Sequence, residues 1–275
     1  MKQVSREKKI TKSFAKVVAA VTLTAVFLVG CHKDDHEDYP GHPGKPGQIE
    51  STVVKGSGDI SAQLAEFRHI LGDSLNVALP ANPAGRREIN WDGVPAGFTD
   101  PNAFPGDFFN SLDPALPAGR KRGLLCTNND SSLRVSTKGF IDIDSSYATQ
   151  FTPFSAPRVF TRLGTNITEV IFKLPGTNTD ASVKGFGIVF IDVDDANSTY
   201  IEFYEGSKSL GVFKAPIRTG ASANSFLGVF FPNNKVTRAK ITGGNGTLAK
   251  GLKDISNGGT KDLVVMDDFL YSEPK

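Results

Sequence analysis

Apolar residues recur at every second position along much of this chain, most plainly in Lys184–Phe213. There Gly187, Val189, Ile191 and Val193 share one face of an extended backbone, and Ile188, Phe190, Asp192 and Asp194 share the other. Both faces are apolar over the first half, the pattern of a strand covered on two sides. The second face turns acidic at the carboxyl end, where the chain is expected to emerge into solvent at a sheet rim. Turn chemistry at 194–198 leads to a second alternation, Tyr200–Tyr204, and a turn at 205–208 leads to Leu210–Phe213. The three strands read as an antiparallel meander.

The same alternation predicts strands near Gly123–Thr127, Leu133–Thr137, Phe140–Ile143, Phe151–Phe154, Arg158–Phe160, Ile167–Leu174, Ser225–Phe231, Val236–Thr242 and Leu263–Tyr271. Turn clusters such as 175–178, 232–234 and 257–259 separate them. Short strands at this spacing, with no helices between them, predict two packed antiparallel sheets: a mainly β fold, a β-sandwich or jelly roll. One helix is expected at Asp59–Gly72, where Ile60, Leu64, Phe67 and Leu71 repeat at helical spacing, Asp59 can cap the start and Gly72 the end. One apolar stripe on one short helix implies docking on a sheet. Val77–Arg122 holds seven of the 16 prolines, which predicts a long irregular segment. It also holds Trp91, Phe98, Phe104, Phe108 and Phe109, too much apolar surface to leave wet, so it is expected to be ordered and wrapped over the sandwich.

Charge changes the picture at the amino terminus. Of 31 basic and 29 acidic residues, six basic and one acidic fall in residues 1–30, which leaves the rest of the chain mildly acidic. No basic stripe with interleaved aromatics remains as a nucleic-acid footprint. The basic leader precedes an apolar run, Val17–Val29, too short to cross ~30 Å of hydrocarbon and therefore a signal peptide. Its end, Leu28-Val29-Gly30-Cys31, resembles the lipobox of bacterial lipoproteins, which implies cleavage before Cys31 and lipidation of that thiol. The following Lys33, Asp34 and Asp35 resemble the signal that exports lipoproteins of Bacteroidota-type bacteria to the outer face of the outer membrane. The expected organisation is a lipoprotein signal peptide at 1–30, a Pro/Gly-rich disordered tether at 31–58 and a β-sandwich domain at 59–275.

A second resemblance rests on the runs RREINWDG (86–93), FPGDFFN (104–110), FGIVFIDVD (186–194), SFLGVFF (225–231) and DLVVMDDFLY (262–271). Together they resemble a set of secreted bacterial β-sandwich proteins of unknown function, and the resemblance covers 59–275. It implies a sandwich at the cell surface and brings no activity. The C-terminal sorting tail that some of those proteins carry has no counterpart here, a role the lipid on Cys31 is expected to fill.

Histidine supply limits the chemistry. His32, His36 and His42 lie in the tether, beside acids that could form a metal-binding tail or a solvated one, and only His69 lies in the folded part. Neither GxSxG nor HExxH is present, so the common serine, cysteine and zinc hydrolytic devices are not expected. Cys126, in an apolar run, reads as a buried inert thiol without a disulfide partner. Carboxylates remain. Asp192, Asp194, Asp195, Asp267 and Asp268 are candidate calcium ligands if two sheet rims meet, or otherwise turn-forming acids. Trp91, Asp92, Arg86 and Arg87 are candidate glycan-binding residues if Trp91 is exposed, or otherwise Trp91 is packed beneath the proline-rich segment. The expected function is a non-catalytic binding or adhesion module, with a carboxylate-dependent glycan-cleaving enzyme as the alternative.

Overall fold

Thirteen strands and one α-helix form among the residues described by this computed structural model, 49–79, 81–127 and 132–275. The chain begins with β1 (Thr52–Gly58), α1 (Ser61–Leu71) and β2 (Arg86–Ile89). It continues through β3 (Leu124–Cys126), β4 (Leu133–Ser136), β5 (Val159–Arg162), β6 (Ile167–Lys173) and β7 (Asp180–Ala181). The last six are β8 (Gly185–Ile191), β9 (Tyr200–Glu205), β10 (Lys208–Lys214), β11 (Asn224–Phe230), β12 (Arg238–Thr242) and β13 (Val265–Ser272).

The strands make two sheets in which every strand pair is antiparallel. One runs β1-β11-β8-β13-β5-β4 with β2 alongside β13, and the other runs β10-β9-β12-β6-β3 with β7 on β6. Phe186, Ile188, Phe190 and Phe269 from the first sheet pack with Val170, Phe172, Ile201 and Phe203 from the second in one core. This is the expected β-sandwich.

The first sheet is covered on its other face too, so all seven residues of β8 are buried. Helix α1 lays Leu64, Phe67 and Leu71 against Val189, Phe226 and Leu270. Each such side chain contributes about 1.5–3 kcal/mol by burial. Phe67 fits because its neighbours on the sheet, the register partners Gly187 and Gly228, have no side chains. A Cβ at either position would lie 2.7–2.8 Å from the phenyl ring. Asp59 Oδ1 accepts the Ser61 N–H at 3.0 Å just ahead of the helix, but the N-cap is Ile60, not Asp59 as expected. Beyond it, Phe140, Tyr147 and Phe151 cover Val159, Ile191 and Val265.

Four further expectations need correction. Residues 52–58, read as tether, form β1, an edge strand fully paired with β11. The meander is a hairpin only: β9 and β10 pair, while β8 lies in the opposite sheet. Residues 140–143 and 151–154 are turns and coil whose apolar side chains face the first sheet from outside. The proline-rich segment does contain a strand, because Arg86–Ile89 is free of proline and docks beside the last four residues of β13. The signal peptide, the lipobox with Cys31, and the three tether histidines lie outside the described residues.

Candidate functional site

Strand β2 delivers the residues around Trp91, and its alternation decides their fates. Arg86 faces α1, where its Nη1 donates to the carbonyls of Gly72 and Asp73 and its Nε to Glu88 Oε1 at 2.7 Å. Arg87 faces the other way, 0% exposed, in a two-pronged pair with Glu273 whose bonds are both 2.8 Å. Asp92 closes the next turn, accepting from Asn90 Nδ2 and from the Arg158 N–H. Trp91 adopts φ 64°, which turns its indole into the core. It is 1% exposed, stacked on Phe160 at 4.1 Å and met edge-on by Phe104, Phe109 and Phe269. Its Nε1 donates to the Asp267 carbonyl at 2.8 Å. The sugar platform expected from Trp91, Asp92, Arg86 and Arg87 is therefore not assembled, because each side chain is held by the fold.

What the proline-rich segment builds beside Trp91 is a pocket of about 300 Å³. Its walls include Val94, Pro95, Phe108, Phe109, Leu116 and Pro117, with Trp91 contributing an edge. Arg120 and Arg122 complete the lining. Arg120 lies over the Phe108 ring at 3.6 Å, and its Nε donates to the Phe108 carbonyl at 2.8 Å. Arg122 donates to the carbonyls of Gly119 and Glu88. Among the described residues neither guanidinium forms an ion pair with a carboxylate. Partial removal from water holds both below the usual arginine pKa. The pocket thus combines an apolar body with two cations that no carboxylate contacts directly, Asp107 and Glu88 acting on them from farther off.

The carboxylates divide into two sites rather than one. Asp192 and Asp194, at the end of β8, come together with Asp254, each offering an oxygen within 4.8 Å of the others. Asp192, expected at a wet rim, is 1% exposed and sits at φ 73°. Burial pushes its carboxyl up to about 7, against the hydrogen bond from Gln150 and the charge of Arg218. Arg218 stands where a bound cation would: its Nε and Nη2 bond both oxygens of Asp194 at 2.6 and 2.9 Å, and its Nη1 pairs with Asp192. Asp195 is half-buried at the edge, its N–H bonded to Asp262, which also accepts from Asp194 N–H and Ser198 Oγ. Calcium takes six to eight oxygens. Here two of the three clustered carboxylates already hold a guanidinium, and Asp254 accepts from Ser256 and the Leu263 N–H.

Asp267 and Asp268 lie apart from that group, at a bulge in β13 between its pairing with β5 and with β2. Asp267 accepts the N–H groups of Phe154 and Ser155, and both carboxylates reach the Ser155 hydroxyl, at 2.9 and 2.7 Å. That hydroxyl has one proton for two acceptors, so the network closes when a carboxyl is protonated. Burial and the neighbouring Asp268 push Asp267 up to about 8. Asp267 is fully buried and Asp268 5% exposed, so no groove leads a polysaccharide between them.

Comparison with protein-family models, curated proteins and solved structures finds no match to this chain. The geometry alone therefore carries the functional argument. His69 is exposed beside Asp73, 2.9 Å away. Cys126 is buried with no disulfide, its thiol pushed up to about 12 by burial. The pocket arginines escaped sequence reading because nothing local marks them as unpaired. Asp254 and Arg218 escaped because they lie 60 and 24 residues from Asp194. One signal was available for the pocket: proline and phenylalanine interleaved from 95 to 117.

Proposed function

We propose that this chain is a non-catalytic ligand-binding module, displayed on the outer face of the outer membrane by a lipid on Cys31. The pocket of about 300 Å³ beneath the proline-rich segment is its recognition site. That cavity is the observation that carries the reading. Pockets of this size, mostly apolar with a few polar groups, are the usual form of small-molecule sites. The long wrapped segment that builds it fits the rule that ordered irregular loops are commonly functional. The lipobox-like run ending at Cys31 supports the address.

The test joins binding to turnover. The purified mature chain is screened for ligands by its single tryptophan, which edges the pocket, while reducing-sugar release is followed on a panel of polysaccharides. Ligand-dependent change in Trp91 emission without product release is expected. Release of sugar ends would overturn the non-catalytic reading. Mass spectrometry of the mature amino terminus checks the anchor, with a diacylated Cys31 expected.

A further inference from the structure

We infer that the pocket binds a small amphipathic anion, an aromatic or short acyl carboxylate whose apolar body fills the cavity while its carboxylate meets Arg120 and Arg122. This rests on the pocket being the recognition site and names the ligand class it takes.

Volume sets the size. At ~30 Å³ per water-sized group, about 300 Å³ admits on the order of ten non-hydrogen atoms. That is the size of a phenylalkanoate or an eight-carbon acid. Lining sets the body. Val94, Pro95, Phe108, Phe109, Leu116 and Pro117 offer neither the hydroxyl nor the amide side chains that sugars need, and Asn90 is the one amide present.

Charge sets the head. Arg87 and Arg218 face acids: Arg87 on Glu273, Arg218 on Asp194 and Asp192. Arg120 and Arg122 do not, although both are partly withdrawn from water. Arg120 uses only its Nε within the protein, and Arg122 uses Nε and Nη1. The Nη groups of Arg120 and Nη2 of Arg122 have no protein acceptor among the described residues. Two cations beside one apolar cavity, with Asp107 and Glu88 acting on them only at a distance and with donors left over, favour an anion that brings its own acceptors. A cationic ligand meets repulsion there, and a neutral one leaves those donors to water.

Three ligands of one length separate the contributions: octanoate, octanol and octylamine, titrated into the mature chain at neutral pH with Trp91 emission as readout. Octanoate is expected to bind about tenfold more tightly than octanol, the worth of one charge-assisted bond, and octylamine not at all. In Arg120→Gln, octanoate affinity should fall severalfold toward the octanol level, Arg122 retaining the rest, while the melting temperature holds and reports an intact fold. Equal affinity for octanoate and octanol, or unchanged octanoate binding in R120Q, overturns the anion inference and leaves the apolar pocket standing. Failure of all three ligands to bind overturns it as well, and a polysaccharide that binds instead would keep the binding-module reading while moving its site. Sugar release alone would remove that underlying reading.

Discussion

Arg218 and Arg120 are both partly buried cations on the same sandwich, and they are surrounded in opposite ways. Arg218 is enclosed by carboxylates, with all three of its side-chain nitrogens used: two on Asp194, the third on Asp192 and the Ala221 carbonyl. Arg120 lies on a phenyl ring with one nitrogen bonded to a carbonyl. The contrast teaches that what surrounds a charge, more than its burial, separates structure from recognition. A guanidinium whose donors all end on the protein holds elements together. One whose donors are left over beside a cavity is available to something else.

The contrast breaks hardest at Arg87, the extreme of the enclosed kind. Removing one partner of a buried pair leaves the other charge stranded, at about 3–5 kcal/mol. Arg87→Ala should lower unfolding stability by that amount in urea titration, because Glu273 has only Asn76 left as a side-chain donor. A loss below about 1 kcal/mol would mean that Glu273 simply moves into water.

Arg218→Ala should cost somewhat less, because Asp192 and Asp194 can relieve their repulsion by taking up a proton. The loss is therefore expected to be larger at pH 8 than at pH 5. Adding millimolar calcium sharpens the same comparison. Wild-type melting temperature should not move, since the guanidinium fills the site, whereas a calcium-dependent rise confined to the variant would mark the carboxylates as a vacated cation cage.

Titration gives a smaller, graded effect. An unfolded aspartate titrates near ~3.9, and folded Asp192 near 7 and Asp267 near 8. Between these values the folded state holds protons that the unfolded state has lost, so this contribution is full below about pH 4 and declines as pH rises toward 7 and 8. Melting temperature should consequently fall from pH 5 to pH 8. Asp267→Asn, which mimics the protonated form, should flatten that slope, and an unchanged slope would show that Asp267 is not its source.

Much of the sandwich was legible because β6, β9 and β12 bury every second residue, while β8 and β11, covered on both faces, are apolar runs bounded by turn residues. Strand β1 was not: an edge strand paired through backbone bonds needs little apolar sequence, and TVVKGSG shows two valines among polar and glycine residues. Phe140 and Phe151 misled for the opposite reason, being apolar in order to roof the sheet rather than to join it. Of the proposed site, the sequence pointed to the segment that builds the pocket but singled out other members. Trp91 and Arg87 are conspicuous residues fixed in the core, while Arg120 and Arg122 matter through the carboxylates they lack, and a lack of long-range partners has no local signature.

The smallest expected effect is the one that isolates the pocket. Arg120→Gln keeps a shorter polar chain that can still donate toward the Phe108 carbonyl and removes a charge that no carboxylate pairs directly, so stability in urea should change by less than about 0.5 kcal/mol. Relief of desolvation opposes the lost cation–π contact, itself about 0.5–1 kcal/mol at sites open to water. Set beside Arg87→Ala, that near-silence is informative: two arginines 33 residues apart, both reaching the proline-rich segment, would differ severalfold in what they hold together. If R120Q unfolded the chain as readily as R87A, Arg120 would be clamping the segment through the Phe108 carbonyl, and the leftover donors at the cavity would lose their significance.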